Sequence, residues 1–245
     1  MAAALAFDGT ATSTTIVGTP STYTFASFAV AAAGGQERLV FVTTIGDSTT
    51  THAGLTVDGQ AATQLGTTVF CSDGSLVGAH MSAWRVTGSG GTSISIVLSN
   101  GGTGAIFGAG IACFKLSNAD TVLATTTAVT NDPVLSVNTV TGGAVAAVLH
   151  GYQDTTPSAA WTGLTERFDT FIYTNAVFSG ASADIVSGST PLAISANITP
   201  NLTPGSDSDA VAAICVSFNP DADASEDERT VEKSSMMSMG KFMGN

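Results

Sequence analysis

Glu37-Arg38-Leu39-Val40-Phe41-Val42-Thr43-Thr44-Ile45-Gly46 is followed by a polar loop through Asp47 to His52. Gly54-Leu55-Thr56-Val57-Asp58-Gly59-Gln60-Ala61-Ala62-Thr63-Gln64-Leu65 comes next. Leu39 to Ile45 is a short apolar, β-branched run, which predicts a strand with at least one face buried. Asp58-Gly59 predicts a tight hairpin, because both residues tolerate the positive φ that a type I′ turn demands.

Outward from this stretch, the rest of the chain is punctuated in the same way. Strands are expected at Thr14–Val17, Tyr23–Val30, Thr67–Cys71, Ala79–Val86, Ser93–Ser99 and Gly110–Leu116, separated by Gly, Ser, Asn and Pro clusters. Within Ser93–Ser99, Ile94, Ile96 and Leu98 alternate with polar neighbours, the period of a half-buried strand.

A degraded copy of this order returns about a hundred residues later. Leu123–Val129 and Val134–Val140 flank Asn131-Asp132-Pro133, and Gly142-Gly143 precedes Ala144–His150 as Gly34-Gly35 precedes Leu39–Ile45. Ala176–Ser179 matches Ala83–Val86, Leu192 and Ile194 match Ile94 and Ile96, and Cys215 stands where Cys113 stands. The fold expected is all-β: a two-sheet, jelly-roll-like β-sandwich built from pseudo-repeated halves at 11–118 and 119–218. Two immunoglobulin-sized sandwiches are the alternative. The short linker at Ser117–Thr121 and the thinner apolar content of the second half favour a single body. Residues 1–10 are expected to form an N-terminal arm, and residues 219–245 a C-terminal one.

The chain has 245 residues and a net charge of −12, with seven basic residues, of which Arg38, Arg85, Lys115 and Arg167 precede position 219. Nucleic-acid binding needs a cationic footprint, and anionic membrane surfaces need the same, so neither is an expected partner. The longest apolar runs fall far short of the roughly 18 residues of a spanning helix. The opening Met1–Gly9 has neither the cationic nor the apolar segment of a signal peptide, so synthesis without export is expected. Three cysteines (Cys71, Cys113 and Cys215) in such a chain read as buried free thiols.

The search for chemistry is mostly negative. His52, His80 and His150 lack any metal-ligand spacing, and no nucleophile elbow or phosphate loop exists. No catalytic residue, cofactor or metal is expected, although His150 near Asp154 has the types of an acid/base pair. Asp47, Asp73 and Asp132 lie in loops without EF-hand spacing. Trp161, Asp154, Glu166 and Tyr173 are candidates for glycan binding, since a tryptophan between carboxylates can stack a sugar ring; core packing is the competing use for Trp161 and Trp84. After Phe218 come six carboxylates between 221 and 232, then Met236, Met237, Met239, Phe242 and Met243, which suit an arm docking on a neighbouring subunit.

Arg38-Leu39-Val40-Phe41-Val42, Leu55 to Leu65, Ala83-Trp84-Arg85-Val86, Ser95-Ile96-Val97-Leu98 and Ala109-Gly110-Ile111-Ala112 together resemble a broad group of bacterial and bacteriophage β-sandwich modules. The resemblance spans about residues 36–218 and rests on packing motifs; Asp58 stands where that group has glycine. It implies a non-catalytic structural protein of a bacteriophage virion, a capsid decoration, fibre or tail accessory subunit. Such a subunit would be made in the host cytoplasm, homo-oligomeric and in contact with other virion subunits. A carbohydrate-binding module or adhesin contacting host surface glycans is the alternative.

Overall fold

The structure, a computed structural model, describes residues 1–18, 22–32, 36–72, 77–87, 91–130, 132–152, 158–187, 191–199 and 210–222. These residues form strands and connections, without a helix. The first half supplies β1 (Ala4–Ser13), β2 (Thr22–Ala29), β3 (Glu37–Asp47), β4 (His52–Val57), β5 (Gln60–Ala61), β6 (Thr63–Ser72), β7 (Val77–Thr87), β8 (Ser93–Asn100) and β9 (Ile106–Ser117). The second supplies β10 (Ala119–Ala128), β11 (Val134–Val137), β12 (Ala144–Tyr152), β13 (Ser158–Thr162), β14 (Thr165–Tyr173), β15 (Ala176–Asp184), β16 (Leu192–Thr199) and β17 (Ala210–Pro220).

The all-β sandwich class is as the patterning predicts, but the sheets number four rather than two. β1-β9-β3-β7-β6 and β2-β8-β4-β5 belong to the first half; β10-β17-β12-β15-β14 and β11-β16-β13 belong to the second. Strand pairing is antiparallel throughout. Counted from β10, the second half repeats the strand order of the first, with no counterpart for β5.

Alternation along the central strands explains the extra layers. In β3, Leu39 and Phe41 face one interior while Val40 and Val42 face another. β12 does the same: Ala146 and Val148 point one way, Val145, Ala147 and Leu149 the other. A strand apolar on both faces must be covered on both. Each five-stranded sheet therefore carries its own smaller sheet on one side and meets the other five-stranded sheet on the opposite side. The result is four layers and three interiors, with the middle interior shared by the two halves. The single two-sheet body expected from the short linker is corrected here. A one-residue connection suffices, because β9 and β10 are separated only by Asn118, at φ 52, a left-handed conformation that asparagine tolerates.

The hairpin at Asp58-Gly59 forms as read, with φ of 49° and 79°. Its loop is docked on β8: the Asp58 amide donates to the Ser95 carbonyl at 2.8 Å, and the Ser95 amide to the Asp58 carboxylate at 2.7 Å.

Residues 1–10 are not a free arm. Ala4–Ser13 pairs along β9 as an edge strand, and the Ala3 amide reaches across to the Gly142 carbonyl of the second half at 2.7 Å. Phe7 stacks on Phe168 of β14, with ring centroids 5.2 Å apart. An alternation of Ala3, Leu5 and Phe7 is too short to announce a strand by itself, and its burial comes from the other half. The C-terminal arm lies outside the described residues from position 223 onward.

Two outcomes test the role of β1. Phe7→Ala should cost about 3 kcal/mol of unfolding free energy, the usual range for truncating a packed ring. Removing residues 1–10 should abolish cooperative unfolding, whereas an ornamental arm would leave the denaturation midpoint unchanged.

Candidate functional site

The densest group of chemically capable side chains sits between the two sheets of the first half. Thr44 of β3 and Ser82 of β7 face the smaller sheet, from which β4 presents His52. His52 Nδ1 lies 2.6 Å from Ser82 Oγ, and its Nε2 lies 2.9 Å from Thr44 Oγ1. Trp84 Nε1–H donates to Ser82 Oγ at 2.7 Å. Both ring nitrogens of His52 thus meet a hydroxyl, and since a hydroxyl can donate or accept, either neutral tautomer is accommodated.

A serine against a histidine has the composition of a nucleophile and base, but these two have no access. Ser82 is wholly buried and His52 is 4 % exposed. Burial drives the His52 pKa down to about 3, with the nearby His80 adding to the effect. The imidazole is thus neutral across ordinary pH, and the group works as a polar clamp between sheets. His52, placed in a loop by sequence reading, in fact opens β4.

His80 lies within β7, its Nε2–H donating to the Asp47 carbonyl at 3.0 Å and its ring stacked on Phe70. Burial lowers its pKa as well. The Asp47 carboxylate accepts from the Ala105 amide at 2.9 Å, holding a turn.

His150 is wholly buried in the interior shared by the halves, where its Nδ1 meets Thr43 Oγ1 of β3 at 2.6 Å. Its Nε2 has no partner among the described residues. Burial also lowers this pKa to about 3, with His80 a smaller contributor. Asp154, the residue matched with His150 in the sequence, lies outside the described residues.

Arg38 and Asp8 form a second buried polar feature. Arg38 of β3 is 0 % exposed; Nη1 pairs with the Asp8 carboxylate, and Nη2 donates to the Ala31 carbonyl at 2.8 Å. Arg38 Nε has no partner among the described residues. Asp8 occupies the bulge between Phe7 and Gly9 of β1. Burial raises its pKa, with the Arg38 guanidinium pulling the other way. Sequence reading missed this pair. The available signal was an arginine directly before a continuous apolar run, with a lone charged residue, Asp8, in the N-terminal segment.

The glycan candidates do not share one rim. Trp161 of β13 packs into the interior of the second sandwich and donates Nε1–H to Ser179 Oγ at 2.9 Å. Tyr173 of β14 lies on the opposite face of its sheet, against the shared interior, with its hydroxyl donating to the Phe107 carbonyl at 2.5 Å. Glu166 is exposed on β14; partial burial raises its pKa, and Asp169 adds to the rise. Asp169 in turn accepts the Ala159 amide at 3.2 Å. Asp169 of β14 thus meets Ala159 of β13 and lies near Glu166, while Tyr173 sits on the other face of the sheet.

Among the described residues no group of three or more His, Cys, Asp or Glu side chains is arranged to hold a metal ion. Cys71, Cys113 and Cys215 are free and buried, and burial raises the thiol pKa of Cys113 and Cys215. Cys113 and Cys215 occupy corresponding strands, β9 and β17, and each faces its own smaller sheet. Met236, Met237, Met239, Phe242 and Met243 lie outside the described residues. No protein family, curated protein or solved structure matches this chain.

The buried histidines carry a pH signature. Their folded pKa values lie below the ordinary 6.5, so an unfolded chain takes up protons that the folded one refuses. Stability is then full above about pH 6.5 and falls as pH drops toward 3, by about 1.4 kcal/mol per pH unit for each histidine. Denaturant titrations at pH 6, 5 and 4 should show this slope reduced by one histidine's share in His52→Gln and in His150→Gln. An unchanged slope in both variants contradicts the assignment.

Asp8→Ala should destabilise by about 3–5 kcal/mol, because it strands a buried guanidinium. The double change of Asp8→Leu with Arg38→Met should recover most of that loss in the same titration. Additive losses would show that the pair is not coupled.

Proposed function

We propose that this chain is a non-catalytic structural subunit of a bacteriophage virion, a capsid decoration, fibre or tail accessory protein held by contacts with neighbouring subunits. The observation that carries the reading is that the side chains with chemical capacity are consumed inside the fold. His52 and Ser82 clamp two sheets, His150 and Thr43 bridge the two halves, and Arg38 with Asp8 ties β1 to β3. A body built in this way serves as a rigid spacer and mount.

The outer features fit such a mount. β6 and β14 are open edges of the two large sheets, in corresponding places, and each exposes a phenylalanine: Phe70, 36 % exposed, and Phe171, 42 % exposed. Open edges that carry apolar side chains favour association with further copies or other subunits. A net charge of −12 disfavours the genome as the partner and leaves protein surfaces. With β1 built into the sheet, residues 219–245 are the remaining candidate for a latch, through Met236, Met237, Met239, Phe242 and Met243. Synthesis in the host cytoplasm followed by incorporation into the particle is part of the same proposal.

A second reading, a carbohydrate-binding module or adhesin, draws on the half-buried Trp161 of β13 and on the carboxylates Glu166 and Asp169 of the neighbouring β14. Purified particles separate the two. Under the virion reading the chain co-sediments with particles, and deleting 230–245 lowers its incorporation several-fold while far-UV circular dichroism and the denaturation midpoint stay unchanged. Absence from particles overturns that reading. Saturable glycan binding abolished by Trp161→Ala would establish the second.

A further inference from the structure

Phe70 and Phe171 hold corresponding places on the outermost strands of the two large sheets. Phe70 of β6 lies beside His80, which lies beside Thr44 of β3; Phe171 of β14 lies beside Val177, which lies beside Gly151 of β12. Among the described residues neither β6 nor β14 has a strand on its other side. The two edges nevertheless differ in the features by which sheets normally keep an edge unpaired: charge, bulges and shortness.

β14 carries Glu166, Arg167 and Asp169, and its register shifts twice. β10, the other edge of that sheet, holds Asp120 and also shifts twice. β1 is broken at Asp8. In the smaller sheets the edge strands β5, β11 and β13 have only two, four and five residues, and β2 is interrupted between Phe25 and Phe28. β6 has ten residues and no charge among them. Its register shifts once, between Leu65 and Val69, and Val69–Ser72 then runs unbroken beside Gly78–Met81. Phe70 stands within that stretch, exposed, with its ring against His80. Val69 and Cys71 point the other way, into the interior shared by the halves. Of the described edges, this is the one that neither charge, nor shortness, nor a break within its regular stretch closes to a further strand.

We propose that β6 pairs antiparallel with β6 of a second copy, in the register that sets Phe70 opposite Phe70, an inference that rests on the reading of the protein as an assembling subunit. That register puts Val69 opposite Cys71 and Thr68 opposite Ser72. Directly opposed residues share a face, so each side chain stays on the face it already occupies. The two rings meet on the outer face, where an aromatic pair adds to the area it buries. Charge selects the partner. Two chains of net charge −12 repel one another, and they join at least cost along a strip that brings no carboxylate with it. β6 supplies such a strip to both sides, whereas β14 offers a strand with three charges. A two-fold contact of this kind is closed. The product is therefore a dimer, its two copies of the β1-β9-β3-β7-β6 sheet joined edge to edge, and β14 takes no part.

Multi-angle light scattering of the full chain should give twice 24.4 kDa. Phe70→Lys gives β6 the charge that other edges carry, and should yield the single-chain mass with unchanged far-UV circular dichroism. Phe171→Lys, at the corresponding place on β14, should leave the dimer intact. Phe70→Cys reports the register directly and decides the matter if Phe70→Lys does not fold. Opposed residues of paired strands have Cβ atoms about 5 Å apart, so mild oxidation should give a covalent dimer on a non-reducing gel, and Phe171→Cys should not. A monomeric intact chain, a folded Phe70→Lys variant that still dimerises, a dimer lost in folded Phe171→Lys, or a Phe70→Cys variant that does not cross-link overturns the proposal. Particle incorporation is scored separately. A dimer through β6 that is absent from particles removes the virion reading and leaves the pairing standing; an intact chain that is monomeric yet enters particles does the reverse.

Discussion

The face-to-face burial of two five-stranded sheets is the constraint on which the rest of this molecule depends. Leu39, Phe41, Met81 and Phe114 from one half and Ala146, Val148, Phe178 and Ile214 from the other share a single interior. Neither sheet can leave the other without exposing that surface, at a cost of about 25 cal/mol for each Å² of apolar area returned to water. Each half has an interior of its own, yet neither is finished by it. β1 illustrates the dependence: it pairs only with β9, while its buried side chains rest on β14 and β15 of the other half.

Small residues make the shared interface possible. Gly110 of β9 stands where an added Cβ would meet Phe178 at 2.9 Å and Thr43 at 3.1 Å, and Gly180 of β15 where it would strike Phe168 at 2.3 Å. The alanine-rich centre of β12 belongs to the same scheme. What reads along the sequence as an impoverished second copy is the close-approach surface of an inner sheet. This contact also carries polar bridges, Tyr173 to the Phe107 carbonyl and Thr43 to His150, the latter with a second ring nitrogen that has no partner among the described residues. Buried polar groups left partly satisfied cost stability, and this one is tolerated because the imidazole stays neutral.

The same burial sets what the interior histidines can do. Catalysis needs a titratable group near its working pH with room for a substrate. His52, His80 and His150 are shifted away from that range by the same burial that denies them access. Among the described residues, the surface includes the strand edges β6 and β14 and the exposed Phe70 and Phe171.

The strand content and the Asp58-Gly59 turn were legible in the sequence, because each depends on neighbours a few residues apart. Alternation in Ile94, Ile96 and Leu98 marked an outer strand, and the unbroken run from Leu39 to Ile45 marked one with burial to spare. How many faces that run buries was decided only by tertiary structure. A two-sheet body and a four-layer body ask for the same local pattern and differ in what covers the second face. For the same reason, the partners of Arg38, the burial of His52 and the separation of Tyr173 from Trp161 emerged only with the sheets assembled. Those relations join residues on different strands, 7 to 30 positions apart, or set them on opposite sides of a sheet, where local spacing carries no information.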